Sequence, residues 1–460
     1  MIQPVAPQRR WPRAPALHAV FLALIVAPRA IAAQGRLVLP PIPIDTFTLA
    51  NGLRVIVSED HSDPLVAVSM WYHVGSADEA PGRTGFAHFF EHMLFEQTDN
   101  MAEGEYDRLI TEAGGVMNGA TDTDRTAYWE LLPANRLNLA LWTQAERMHR
   151  LRVSDESFQR VREVVKEERR QRVDNQPYAA AQLAVDTLAM DYAPYRHPPI
   201  GSMDDLEAAS ADDARKFYQR WYVPNNAVLT VVGDVTSPDV RALVQEYFGM
   251  IPRGEPAPVP PAPPATPRTS GERRLEVADP LAQLPLVWIA YNVPGADHRD
   301  AYALSLLSSI FSAGESSRLQ QRLVQRESAA LDVVAFLRTR AGPGTILFGT
   351  IPNIGVDIER VEGLVGEEIG RLRTEGVTEH ELAKAKNQQR ASEVAGRMQV
   401  QTKADLLQGA ALYHRDPFRV NGEMARYEAV TLADVQRVAR TYLTEANRTV
   451  VIARPARPGN

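Results

Sequence analysis

The chain contains no cysteine. That excludes disulfide staples, a thiol nucleophile and any thiolate-held metal, so a tight metal site must be built from histidine and carboxylates. A basic excess is missing as well. With 57 acidic residues against 50 lysines and arginines, the formal net charge is -7, which gives no support to a nucleic-acid partner. The N-terminal apolar run APALHAVFLALIVA (14–27) is short for a bilayer span, which takes about 20 residues. It follows Arg9, Arg10 and Arg13 and precedes the small residues Ala30-Ile31-Ala32, the pattern of a secretory signal peptide over 1–33, cleaved near Ala32 or Ala33. The arginine pair leaves Sec and twin-arginine export both open. The expectation is an exported, periplasmic chain with no stable membrane span after cleavage, and one that needs no oxidation to fold.

At 460 residues the chain exceeds one compact core and should divide into two to four domains. FTLANGLRVIVSED (47–60) reads as strand, Asn-Gly turn, strand, and PLVAVSMWYHVGS (64–76) as a further strand. A buried helix is expected over 82–96 and another over 103–113, then a strand pair over 114–133 that turns near Asp122–Asp124. Helices follow at 134–149, 154–173 and 177–189, and NAVLTVVGD (226–234) is a strand. The texture then changes: IPRGEPAPVPPAPPATPRTSG (251–271) holds eight prolines between Pro252 and Pro267, the composition of an extended, semi-rigid spacer. It separates an N-terminal lobe, 36–250, from a C-terminal lobe, 272–460. The second lobe repeats the order of the first, with LPLVWIAYNVPG (284–295), DAYALSLLSSIFSAG (300–314) and then TILFGTIPN. The fold class is α+β, with two homologous α/β-sandwich lobes joined by the proline-rich linker.

GRTGFAHFFEHMLFE (82–96) interrupts an apolar helix with His88, Glu91 and His92. Desolvating three such groups without partners is costly. On a helix, positions i and i+4 stack and i+3 flanks them, so both imidazoles can point at one ion with Glu91 beside it. The order HxxEH inverts the zinc-protease motif HExxH. A catalytic zinc takes three protein ligands, so a third must come from elsewhere. REVVKEERR (162–170) offers Glu163, Glu167 and Glu168. A stripe of Val161, Val164 and Val165 favours Glu168 over Glu167 on the core side. In the second lobe, alanine, leucine and serine stand where the first has its metal donors, so the function is asymmetric. His73, His149, His197, His298, His380 and His414 show no such pairing and read as structural or exposed. Arg169, Arg170 and Arg172 read as a helix face with salt-bridge partners.

HFFEHMLFE followed by VVKEERRQRVDNQPY resembles the pitrilysin-like (inverzincin) M16 metallopeptidases, a family that includes the insulin-degrading enzyme and the mitochondrial processing peptidase. The resemblance extends over nearly all of 40–455, including GGVMNGATDTDRTAYW and HPPIGSMDDLEAA. As a short, two-lobe chain it looks like the zinc-bearing, catalytic subunit of the processing peptidase. The resemblance implies Zn²⁺ held by His88, His92 and a glutamate 76 residues after His92, which is Glu168. It makes Glu91 the general base on the zinc-held water, and gives Asn118 and Gly119 to an edge strand that pairs with the substrate backbone. Active members often carry an Arg and a Tyr seven positions apart in a metal-free domain. Here Arg318, Arg322 and Arg326 are followed at seven by Gln325, Ala329 and Val333. The implied partner is therefore a homologous metal-free subunit with that Arg–Tyr pair, in a heterodimer. The expected activity is zinc-dependent endopeptidase action on peptides or unfolded segments inside a closed chamber. The alternatives are a narrow processing protease for one exported protein and a non-catalytic peptide-binding or assembly subunit.

Overall fold

In the computed structural model, residues 39–264, 266–268 and 270–456 are described; the signal peptide expected over 1–33 and its expected cleavage point lie outside the described residues. Apolar, β-branched runs form the strands of a first sheet: β1 (Asp45–Thr48), β2 (Arg54–Glu59), β3 (Leu65–Tyr72), β4 (Val116–Thr121), β5 (Thr126–Pro133) and β6 (Ala227–Gly233). Their spatial order is β1-β2-β6-β3-β5-β4, with β2 and β6 parallel. The helices of this half are α1 (Phe86–Met93), α2 (Glu105–Glu112), α3 (Leu137–Arg150), α4 (Asp155–Arg169), α5 (Ala179–Ala189), α6 (Met203–Ala208), α7 (Ala211–Trp221) and α8 (Ser237–Phe248).

A second sheet comprises β7 (Arg273–Asp279), β8 (Leu286–Val293), β9 (Ala330–Arg338), β10 (Gly344–Pro352) and β11 (Arg448–Pro455). Its order is β7-β11-β8-β10-β9, with β7 and β11 parallel. Apart from the added β1, the two sheets share one topology, so the chain is a mixed α/β protein built from a repeated sheet-bearing lobe. The second half also holds α9 (Ala301–Ser312), α10 (Ile358–Glu375), α11 (Glu379–Arg397), α12 (Val400–His414), α13 (Glu423–Ala429) and α14 (Leu432–Tyr442). No helix among the described residues is long and apolar enough to cross a membrane.

Strand periodicity sends alternate residues to opposite faces. Val55, Val57, Val66, Val68 and Met70 meet Phe86, Phe89, Phe90 and Met93 in one core. Ile56, Ala67, Val228 and Val232 face the other way, and what covers them comes from the far half of the chain: Val400, Ala404, Leu407 and Ala411, one stripe of α12. The exchange is reciprocal. Ala181, Val185 and Ala189 of α5 pack on Leu286, Ala290, Leu347 and Val451 of the second sheet. Polar contacts pin both helices. The buried Gln408 Nε2 donates to Ser69 O at 3.0 Å and Val228 O at 2.9 Å, and Asp279 Oδ2 accepts from Tyr178 N at 2.6 Å.

The proline-rich stretch is likewise tied down rather than free. Gly254 N donates to Asn225 Oδ1 at 2.8 Å, and Tyr192 Oη donates to Pro261 O at 3.0 Å. Over 252–264 it runs without helix or strand and mostly exposed, along the surface of the folded body.

Candidate metal centre

Helix α1 starts at Gly85, whose φ of 92° suits a residue without a side chain. Phe86, Phe89, Phe90 and Met93 are buried on one face. At 3.6 residues per turn, that leaves His88, Glu91 and His92 together on the other. Helix α4 lies against α1, with the Phe89 and Phe158 rings 5.0 Å apart. Ser154 caps α4 by accepting from Ser157 N, and Phe158, Val161 and Val165 make its buried stripe. Val164 is not part of that stripe: it is 50 % exposed. The stripe still continues to Glu168, whose side chain is 16 % exposed, against 54 % for Glu167, which pairs outward with Arg170 at 3.1 Å.

The three side chains converge. His88 Nε2 and His92 Nε2 are 3.4 Å apart, and Glu168 Oε2 lies 3.0 Å from His92 Nε2 and 3.5 Å from His88 Nε2. Tetrahedral bonds of about 2.0–2.1 Å to zinc would separate the ligand atoms by roughly 3.3 Å, so this triangle fits one such ion. Among the described residues, His88, His92 and Glu168 are the one group of three or more donors close enough to hold a metal. Two imidazoles and a carboxylate, with no sulfur, suit zinc.

Electrostatics agree with the geometry. Burial, then the neighbouring His92, pushes the His88 imidazole down to about 4, toward the neutral form that a metal ligand requires. Burial also raises the Glu91 carboxyl above its ordinary range, while hydrogen bonding from Thr121 pulls it back. A raised carboxyl is the direction a general base needs. Arg172 Nη1 forms an ion pair with Glu168 Oε1 at 2.8 Å, leaving Oε2 to face the histidines. This arginine lies in the π-helical turn, Arg170–Asp174, that continues α4.

Strand β4 borders the same space. It is the edge of the first sheet, so among the described residues one side of its backbone has no strand partner. Gly119 sits directly against Glu91: a Cβ there would stand 2.9 Å from Glu91 Cγ and 3.2 Å from Phe95 Cε2. Asn118 is turned back on its own strand, its Oδ1 accepting from Gly119 N at 2.9 Å. On β5 itself, the fully buried Glu130 accepts from Arg147 Nη2 at 3.0 Å and Tyr106 Oη at 2.7 Å, which stiffens the hairpin from the core side. Sequence reasoning missed Thr121 and Phe95. Strand alternation from Gly119 points to Thr121 on the same face, a signal that was available.

The remaining histidines among the described residues are elsewhere. His73 lies 3.3 Å from Arg54 Nη2 and is pushed down to about 4 by burial and then by that arginine. His61 pairs with Asp234 at 2.6 Å. A crevice of about 710 Å³ opens beside His73, Asp124, Tyr195 and the prolines 258–263, away from the metal donors.

Residues 54–198 match the family model described as Insulinase (Peptidase family M16), and residues 208–389 match the one described as Peptidase M16 inactive domain. Zinc protease PqqE of Helicobacter pylori is 31% identical over 421 residues, covering 89% of this chain and 93% of PqqE. The chain belongs to peptidase family M16. A crystal structure of a protease from Helicobacter pylori has the same M16 architecture, with a TM-score of 0.85 at 30% identity over 90% of this chain and 100% of that one. The periplasmic protease PqqL from Escherichia coli shares the fold, with a TM-score of 0.74 at 19% identity over 90% of this chain and 48% of PqqL. Among the described residues of this M16 chain, the candidate metal donors all sit in the first lobe. Helix α9, AYALSLLSSIFS, follows β8 as α1 follows β3, and carries no histidine or acid.

Proposed function

We propose that this chain is a zinc-dependent endopeptidase that hydrolyses peptides or unfolded protein segments. The observation that carries the reading is the triangle of His88, His92 and Glu168 with Glu91 on the same helix face and the β4 edge beside it. Zinc bound there would polarise the scissile carbonyl and lower the pKa of the attacking water. His88, His92 and Glu168 would hold it, and their single negative charge leaves the site net positive toward the developing oxyanion. Glu91 takes the proton of the water and hands it to the leaving amine. The free edge of β4 aligns the substrate by main-chain pairing, which ignores side-chain identity, with Gly119 giving it close passage and Asn118 contributing a side-chain amide.

Of the three donors His92 is the most open, its side chain 28 % exposed. Enclosure in a chamber therefore calls for a second subunit. We assign that part to a homologous metal-free chain carrying an Arg–Tyr pair, because Arg318 here is committed to Glu381 at 2.6 Å and Arg322 to Glu367 at 3.2 Å. The N-terminal signal pattern, and the periplasmic character stated for PqqL, support a periplasmic location.

The test is to purify the chain alone and with such a homologue, and to offer unstructured peptides and a folded domain. Turnover of the peptides only, lost with a chelator and restored by zinc, is expected. Zinc binding without hydrolysis in both preparations would favour the peptide-binding subunit. Cutting of one exported protein and nothing else would favour the narrow processing protease.

A further inference from the structure

The first turn of a helix presents backbone N–H groups that need acceptors. In α1 the N-cap is Gly85, which has no side chain to offer. The acceptors come from outside the helix. Glu79 Oε2 takes the Gly85 N–H at 2.8 Å, and Glu79 Oε1 takes the Ala87 N–H at 2.8 Å. The Glu79 side chain has 0 % exposure, and His197 Nδ1 stands 3.5 Å from its Oε2. An acid this deep costs stability unless its contacts compensate, and the start of α1 supplies its hydrogen-bond donors.

The surroundings connect this acid to the whole site. Its own segment holds the tip of the β4–β5 hairpin, through Ser76 N to Asp122 O at 3.2 Å and Ala77 N to Thr123 O at 2.9 Å. On the other side of α1, Thr84 N donates to Asp205 Oδ2 at 3.1 Å and Ser202 N donates to Thr84 Oγ1 at 3.0 Å. A Cβ on Gly201 would collide with the backbone of Thr84 and Gly85, so that loop is seated directly on the helix start. Gly201 O in turn accepts from Arg169, the residue after Glu168. One continuous set of contacts thus runs from Glu79 through the start of α1 to the end of α4.

We propose that Glu79 is a positioning residue for the metal centre: by fixing the N-terminus of α1, it sets the spacing between the imidazoles of His88 and His92 and the carboxylate of Glu168. The inference rests on the zinc-site reading, and its test separates the two. Zinc affinity is measured by competition with a chromophoric chelator, alongside thermal unfolding of the metal-free protein. Glu79→Ala is expected to weaken zinc binding about 10-fold or more, in the range seen when groups behind metal ligands are removed. Glu79→Gln keeps one acceptor oxygen and should restore part of the affinity. Thr378→Ala removes the cap of α11 in the second lobe; it should lower the melting temperature without moving the zinc Kd, which separates positioning from general destabilisation. An unchanged Kd in Glu79→Ala overturns the proposal, as does an equal loss in Thr378→Ala. Where Glu79→Ala does not fold, Glu79→Gln and Gly201→Ala decide, and wild-type affinity in both overturns it. A wild-type chain that binds no zinc sinks the metal reading itself.

Discussion

Placing a single methyl group at position 119 tests whether the edge strand and Glu91 share one tightly packed space. In Gly119→Ala the new carbon would stand 2.9 Å from Glu91 Cγ and 3.4 Å from Glu91 Oε1. Carbon atoms rest at about 3.5 Å or more, so roughly 0.6 Å must be found. Phe95, 3.2 Å away on the other side, cannot yield easily, because its ring packs on Tyr106 and Tyr128 at 5.7 Å and 6.1 Å between centroids. The Glu91 side chain therefore moves. Misplacing a reacting group by about 1 Å costs on the order of 100-fold, so a shift near half that size should lower kcat for an unstructured peptide by roughly 10-fold or more. His88, His92 and Glu168 are not among the nearest atoms to that carbon, so zinc content should stay at the wild-type level. Steady-state hydrolysis and metal analysis on the same sample read both effects. Full kcat in Gly119→Ala, or loss of zinc with it, would refute the reasoning.

Three further outcomes follow from other parts of the molecule. Gln408→Ala strips two buried carbonyls in β3 and β6 of their donor, and should cost about 2 kcal/mol in denaturant unfolding with no change in zinc affinity. At Glu381, burial alone would raise the carboxyl, but Arg318 and Thr378 together hold it down to about 2 from its ordinary 4.5. A depressed carboxylate stabilises the fold above pH 4.5 and loses that contribution as pH falls toward 2. Glu381→Gln should therefore lower stability at pH 7 by up to about 3 kcal/mol, and the gap to wild type should close in acid. Arg172→Ala removes the arginine on Glu168, but that side chain is 76 % exposed, so the zinc Kd should move by less than about fivefold.

What could be read from the amino-acid order follows from the range of each signal. His88, Glu91 and His92 were legible because helical spacing acts within five residues. The choice between Glu167 and Glu168 is harder to read, since the two are adjacent on one helix and Val164, which the apolar spacing places on the stripe, faces solvent. The repeated strand pattern of the second lobe foretold a second sheet, and apart from β1 that sheet has the same order as the first. The exchange of α5 and α12 between the sheets was not legible. Periodicity shows that a helix has an apolar face, and says nothing about which of two similar sheets receives it. Glu79 escaped notice because a single acid in a loop has no period. The one hint was Gly85, a helix start without a capping side chain.

The central claim, that Glu91 acts on water beside a zinc held by His88, His92 and Glu168, is tested most directly by measuring bound zinc and peptide hydrolysis together in Glu91→Gln and Glu168→Gln. The account predicts one zinc per chain and no turnover in Glu91→Gln, and weakened zinc binding in Glu168→Gln. Retained turnover in Glu91→Gln, or wild-type zinc affinity in Glu168→Gln, would contradict it.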